Sequence, residues 1–222
     1  MKKMTRSQED YLKVIYVENL KRNMITNKLI SEKMEVSAPS VSDMLNKLIK
    51  ADLLVKSKDY GYKLSESGIE ATQELLKKHR LWEVFLIEKL GYSWDEVHEE
   101  SDVLEHVTSL KLMDKLNEYL DKPQYCPHGK VIYGNGIEEN LEDIKSMNFM
   151  QVGDTGSIHI IEDDILLLQY LSKKEVKIHD IFLVESQDAF DGTLHLSVNG
   201  TKVDISERAA SMIYVRSETS KA

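Results

Sequence analysis

The chain has 222 residues, 41% hydrophobic and 30% charged, with a net charge of −9. This composition belongs to a globular protein that can bury one large core or two to three small ones. It holds no apolar run near the roughly 20 residues that span a membrane. The N-terminal lysines are followed by no long apolar stretch, so no signal peptide is expected. The single cysteine excludes an intrachain disulfide framework, and together these features point to a cytoplasmic protein. The charge is unevenly spread. Residues 1–75 carry 13 Lys/Arg and 11 Asp/Glu, a balance of +2, while residues 76–222 carry 16 and 27, a balance of −11. A near-neutral head on an acidic remainder suggests separate tasks, one facing phosphate and one facing cations, although uneven surface charge alone would look the same.

In chain order, SQEDYLKVIYVENLK places Tyr11, Leu12, Ile15 and Tyr16 at helical spacing, with Ser7 as N-cap. The stretch 26–54 reads as two helices. Leu29, Ile30 and Met34 form one stripe and Val41, Met44, Leu45 and Leu48 the other, broken by EVSAPS. Pro39 suits a first helical turn, where its missing N–H costs nothing. LLVKSKDYGYKLSESG then alternates around Asp59–Gly61 as a β-hairpin does. Helix, helix, turn, helix, hairpin is the winged helix-turn-helix pattern, whose second turn helix enters the DNA major groove. Ser37, Ala38, Pro39, Ser40, Ser42 and Asp43 lead that helix, with Asn46 and Lys47 following and Lys56, Lys58 and Lys63 on the wing. Small side chains allow close approach and polar ones reach bases or phosphates. The same three-helix unit also serves in protein–protein contacts.

Residues 65–90 read as one long helix starting near Ser65 or Ser67, and 94–100 and 101–120 as two shorter ones. Val103, Leu104, Val107, Leu110, Leu112, Met113 and Leu116 exceed what one buried stripe needs, which suggests an oligomer interface. The loop DKPQYCPHGKVIYGNG holds two of the three prolines and marks a domain boundary. Beyond about 149, short alternating segments read as strands of a small barrel, interrupted by the helical EDDILLLQYLSKK.

The chemistry concentrates in SDVLEHVTS. Asp102, Glu105 and His106 stand at i, i+3 and i+4, so their side chains leave one helix face. His98 lies four residues before Asp102, and His79 and Glu83 are themselves i and i+4. Each pair alone could be a solvated ion pair. Several together in an acidic region favour a divalent cation, because packed carboxylates repel one another. Oxygen donors with some imidazole suit Mn²⁺ or Fe²⁺, and Cys126 with His128 could add a softer pair. A metallohydrolase or a metal-storage protein would use similar donors. The chain holds no HExxH, no GxSxG and no phosphate-cradling glycine loop, so no enzyme is expected.

These segments resemble the diphtheria-toxin-repressor family of metal-dependent transcriptional repressors, in its manganese-responsive streptococcal-type branch. The resemblance runs through EDYLKVIY, VSAPSVSDML, KHRLWEVFL, VHEESDVLEH and CPHG, in order. It implies a mainly α protein with a small β domain. A winged helix-turn-helix at 1–74 would bind DNA, a helical domain at 75–140 would dimerise and hold metal, and an SH3-like domain would occupy 149–217. It implies a homodimer on a palindromic double-stranded operator of metal-uptake genes, activated by Mn²⁺, with Fe²⁺ the alternative and Zn²⁺ or Cd²⁺ able to bind in vitro. It implies one metal site of Asp10, Asp102, Glu105 and His106, with His79 as ligand or neighbour. Glu83, Cys126, His128 and Asp163 would form a second site, with His98 ancillary and Glu162 and Asp164 as neighbours of the chosen Asp163. Iron-responsive relatives carry Met and Cys where Asp10 and Asp102 stand, which moves the expectation to manganese. The bacillus-type regulator has Glu where Lys13 stands, and an ammonium there cannot bridge two metals. The expected mechanism is a metal that joins Asp10 to the later ligands and fixes the domain angle.

Overall fold

The computed structural model describes residues 4–21, 24–137 and 143–218; the expected domain boundary at 140 lies outside them. The chain divides into two compact units, Met1–His79 with Leu104–Ser109, and Arg80–Val103 with Leu110–Ala222.

In the first unit, α1 (Arg6–Leu20) buries Tyr11, Leu12, Ile15 and Tyr16. Its N-cap is Thr5, not Ser7. Thr5 finds Gln8 three residues on and closes a reciprocal capping box, so Ser7 falls inside the first turn. The second helix, α2 (Asn27–Met34), is capped by Thr26 and stops at Glu35, whose backbone is left-handed at φ 54°. Ser37 caps α3 (Ala38–Lys50), with Pro39 in its first turn. Val41, Leu45 and Leu48 face inward at helical spacing. The hairpin follows as β1 (Leu54–Ser57) and β2 (Gly61–Leu64), antiparallel with Leu54 opposite Leu64. Asn19, near the end of α1, donates to Tyr62 O and accepts from Leu64 N, which holds the hairpin to the first helix. Gly61 is required at the turn. Its φ is +68°, and a Cβ there would stand 2.1 Å from Ile25 O.

The long helix α4 (Glu66–Leu90) begins where Ser65 Oγ accepts from Gly68 N. Next come α5 (Val97–Val107) and α6 (Leu110–Tyr119). The break expected at residues 100–101 is at Thr108–Ser109 instead. Ser101 is fully buried inside α5, and Thr108 Oγ1 bonds back to Leu104 O where the helix ends.

In the second unit, Leu81, Val84, Met113, Leu116, Leu120, Cys126 and Ile132 form one apolar cluster. The remaining core lies beneath a six-stranded antiparallel sheet in the order β3-β8-β4-β5-β6-β7. Its strands are β3 (Ile144–Ser146), β4 (Thr155–Ile161), β5 (Ile181–Gln187), β6 (Leu194–Val198), β7 (Thr201–Ile205) and β8 (Ile213–Ser217). The helix α7 (Ile165–Ser172) buries Leu167, Leu168 and Leu171 in the same core as Phe182, Ile205 and Ile213. A one-turn helix, α8 (Glu207–Ala210), precedes β8. Strands β4 to β8 match the alternating segments read in the sequence, while β3 lies before them and was not read. Among the described residues, however, the sheet does not close into a barrel. β8 pairs between β3 and β4, so β3 and β7 remain as edges.

Candidate metal centres

The first cluster lies within the first unit. α1 carries Glu9, Asp10 and Lys13, and the last turn of α5 supplies Glu105 and His106. His106 Nε2 lies 3.1 Å from Asp10 Oδ1 and 3.5 Å from Glu105 Oε1. Its other nitrogen, Nδ1, is 2.6 Å from Glu9 Oε2. If Nδ1 carries its proton toward Glu9, the lone pair of Nε2 is turned to the two other carboxylates. Glu105 is 1% exposed. His79 Nδ1 is 2.6 Å from its Oε2, and Lys13 Nζ is 3.0 Å from each of its oxygens. Burial raises the Asp10 carboxyl above its ordinary value, against the opposing pull of His106 and Arg6. One donor each from Asp10, Glu105 and His106 comes within 4.8 Å of the others. Two carboxylates and one imidazole fit a hard to borderline divalent ion such as Mn²⁺.

Asp102, expected alongside them, belongs to the second unit, where its Oδ2 is 3.5 Å from His98 Nε2. His79 sits as a neighbour of Glu105.

The second cluster lies wholly within the second unit. The QYCPHGK segment folds into a tight turn in which Cys126 N bonds Lys130 O and Gly129 N bonds Cys126 O. Gly129 has φ +82°, and a Cβ there would meet His159 O at 1.8 Å, so this turn packs backbone-first on β4. His128 O also accepts from Ile161 N. The turn thus presents Cys126 and His128 to Glu83 of α4, and all three are almost fully buried. His128 Nδ1 is 3.0 Å from Glu83 Oε1 and 3.4 Å from Asp163 Oδ1. The Trp94 ring stacks on His128 with centroids 5.5 Å apart. His98 Nδ1 stands 3.9 Å from Glu83 Oε1.

Each acid of Glu162–Asp163–Asp164 has a distinct place. Glu162 accepts from Tyr214 Oη, Asp164 caps α7 at Leu167 N, and only Asp163 reaches His128. Asp163 Oδ2 pairs with Lys130, while Oδ1 is buried without a hydrogen-bond partner. An orphaned buried carboxylate oxygen beside a thiol, an imidazole and a second carboxylate is the donor chemistry of a divalent-cation site.

Charge follows this packing. Burial alone would lower the His128 imidazole, but Glu83, Cys126 and Asp163 outweigh it and carry its pKa up to about 11. Burial and Glu83 push the Cys126 thiol up, against His128. Burial would raise Asp163, yet the Lys130 ammonium holds it well below the usual carboxylate range.

Of the residues expected to reach DNA, the cap Ser37 and Ala38, Pro39, Ser40, Asn46 and Lys47 of α3 are exposed, as is Lys58 in the β1–β2 turn. Ser42 is half-buried and already committed: it accepts from Asn27 Nδ2 and donates to Ala38 O.

Sequence reasoning missed Glu9 and Lys130. Glu9 lies one residue before a chosen ligand, and nothing in its own spacing marks it. Lys130 was visible only as part of the CPHG turn.

Comparison with known proteins covers most of the chain. Residues 3–62 match the iron-dependent repressor N-terminal DNA-binding domain, 65–134 the iron-dependent repressor metal-binding and dimerisation domain, and 145–217 the FeoA domain. The iron-dependent repressor IdeR of Mycobacterium tuberculosis is 32% identical over 136 residues, which are 60% of this chain and 58% of that protein. The chain therefore aligns with little more than half the length of that curated relative. Among solved structures, the manganese regulator SloR is 37% identical with a TM-score of 0.79, covering 96% of this chain and 99% of its own. The repressor ScaR with bound Zn²⁺ is 36% identical with a TM-score of 0.82, covering 94% and 98%. These matches extend over the helix-turn-helix, both carboxylate–histidine clusters and the terminal sheet. By them the chain belongs to the diphtheria-toxin-repressor family of metal-dependent transcriptional repressors, in its manganese branch.

Proposed function

We propose that this chain is a Mn²⁺-dependent, homodimeric transcriptional repressor of metal-uptake genes. It recognises a palindromic operator through α3 and the β1–β2 wing, and Fe²⁺ is the alternative effector. The observation that carries the reading is the grouping of Asp10, on the first helix of the DNA-binding segment, with Glu105 and His106. Asp10, Glu105 and His106 would hold the ion, with His79 bonded to Glu105 and Glu9 orienting His106 through its Nδ1. Glu83, Cys126, His128 and Asp163 would hold a second ion, with His98 beside them. Bound Mn²⁺ supplies two positive charges that let the carboxylates pack together. Gathering Asp10 onto Glu105 and His106 restrains α1, against which the hairpin is anchored through Asn19. That restraint reduces the freedom opposing placement of two recognition helices one helical turn apart. Exposed Val103, Leu110 and Leu112 supply apolar surface to the dimer.

The domain limits 1–74, 75–140 and 149–217 remain the working divisions of this repressor, and its setting is the cytoplasm. The described residues include no helix long and apolar enough to cross a membrane.

The test is a duplex selected from a random library with Mn²⁺-loaded protein, then titrated in Mn²⁺ and in EDTA at several salt concentrations. Metal-dependent, salt-sensitive binding to a palindrome is expected. Equal affinity in EDTA would remove the metal switch. Metal binding without sequence preference would favour a storage protein.

A further inference from the structure

In each cluster a lysine ammonium is seated on one of the proposed ligand carboxylates. Lys13 Nζ lies 3.0 Å from both oxygens of Glu105, and Lys130 Nζ pairs with Asp163 Oδ2. The two lysines lie far apart in sequence, yet each side chain is 22% exposed. Glu105 is almost fully buried. A carboxylate that deep is costly without a compensating charge. Its two oxygens and the Lys13 ammonium share the space where a divalent ion bound to Glu105 would also place its charge.

We propose that Lys13 and Lys130 are tethered counter-cations. They hold the ligand carboxylates until a divalent ion displaces them, and so set the metal concentration at which each cluster loads. This rests on the reading of both clusters as metal centres. The chemistry suits the task. An ammonium on a four-carbon stem is a compact point charge that can swing into solvent. It stabilises the carboxylate without matching the two charges of the competing ion.

The two clusters differ in how much displacement they need. Both oxygens of Glu105 face Lys13, so an ion at Asp10, Glu105 and His106 must share or take over an engaged carboxylate. Asp163 offers Oδ1 without a hydrogen-bond partner, turned toward His128, while Lys130 holds Oδ2. An ion can therefore approach Asp163 with less rearrangement. Lys13 is the stronger gate and Lys130 the weaker.

The experiment is a Mn²⁺ titration of the full chain against a fluorescent competing chelator, with melting in EDTA as a second readout. The variants are Lys13→Gln, Lys13→Arg, Lys130→Gln and wild type. Lys13→Gln should tighten one class of binding by roughly tenfold, equivalent to about one decade in Kd, and should lower the melting temperature in EDTA. Lys13→Arg keeps the charge in a planar fork that grips a carboxylate on both oxygens, and should bind Mn²⁺ no more tightly than wild type. Lys130→Gln should tighten the other class by a smaller factor. Because Lys130 faces a less buried carboxylate, it carries the test even if Lys13→Gln does not fold in EDTA. Unchanged or weakened Mn²⁺ affinity in both glutamine variants would overturn the inference while leaving the metal centres standing. A wild-type chain that takes up no Mn²⁺ would remove the metal-centre reading, and this inference with it.

Discussion

At the scale of single residues, the side chains that matter most are those already engaged with a neighbouring charge. Glu9 is one. Its 2.6 Å contact with His106 Nδ1 fixes which ring nitrogen faces Asp10. Glu9→Ala should weaken Mn²⁺ binding at the first cluster by roughly 10–100-fold, the usual cost of losing a carboxylate behind a histidine ligand. Glu9→Gln should recover part of the loss, because its amide oxygen can still accept. A calorimetric titration with no change for Glu9→Ala would remove Glu9 from the site. His128 governs the pH response of the second cluster. Its imidazole is carried to about 11 and the Cys126 thiol is raised, so both hold protons at neutral pH. The stabilisation from a charged His128 is fully present below its ordinary value near 6.5 and is lost as pH rises through about 11. A metal ligand must shed its proton. Metal affinity at this cluster should therefore rise with pH between about 6 and 9, with protons released on binding. Titrations in two buffers of different ionisation enthalpy would count them, and a flat pH profile would contradict the assignment. Cys126→Ser replaces the thiol by a harder, weaker donor. It should weaken this cluster and leave the Asp10, Glu105 and His106 donors intact, as read by the stoichiometry of Mn²⁺ uptake.

Among the elements, the α2–α3 turn and the hairpin show how local rules produce a recognition surface. Glu35 takes the left-handed turn, Ser37 caps α3 and Pro39 enters its first turn, so the exposed start of α3 is defined by its own sequence. Ser42 was expected to reach DNA, yet its hydroxyl is held by Asn27 and Ala38 O. Period and polarity place it on the helix but do not reveal that a neighbouring helix has already claimed it. Gly61→Ala should destabilise the protein by more than about 1 kcal/mol, because it combines a positive φ with a backbone clash at Ile25 O. Urea melts would show this, and an unshifted midpoint would mean the turn relaxes freely. Lys58→Ala, on the exposed hairpin turn, should weaken operator binding across sequences and reduce the salt slope by about 1. The start of α1 shows the limit of reading one residue at a time. Ser7 and Thr5 are both good caps, and Gln8 decides between them by completing the box from Thr5. The break between α5 and α6 was displaced for a similar reason: a buried Ser101 looks like a helix start only until its burial is known.

For the whole molecule, the consequence of two internal clusters is linkage between metal and stability. A ligand that binds only the folded chain stabilises it by about 2.7 kcal/mol when its concentration is 100 times its Kd. Mn²⁺ should accordingly raise the melting temperature of the wild-type chain, and EDTA should remove the gain. Replacing Asp10 by Ala should diminish that shift while leaving the second cluster to supply part of it. The ligands of the two clusters fall in separate compact units, one drawing on α1 and the end of α5, the other on α4, the CPHG turn and the segment before α7.

The sequence by itself determined the order of elements. Hydrophobic period, turn residues and caps are local, so the helices, the hairpin and the alternating terminal strands could be read along the chain. It also determined a short menu of ligands, because Glu105 and His106 share a helix face whatever surrounds them. Tertiary structure decided the partners. Asp163 rather than Glu162 or Asp164 reaches His128 because the tyrosine and the helix cap take the other two. The lone cysteine stands beside Glu83 and His128 because Gly129 lets the turn press against β4. Among the described residues the sheet stays open, with β8 returning between β3 and β4 and leaving β3 and β7 as edges. Glu9, Lys13 and Lys130 took their places for the same reason. A charge finds its counter-charge through space, and that distance is fixed by packing rather than by position along the chain.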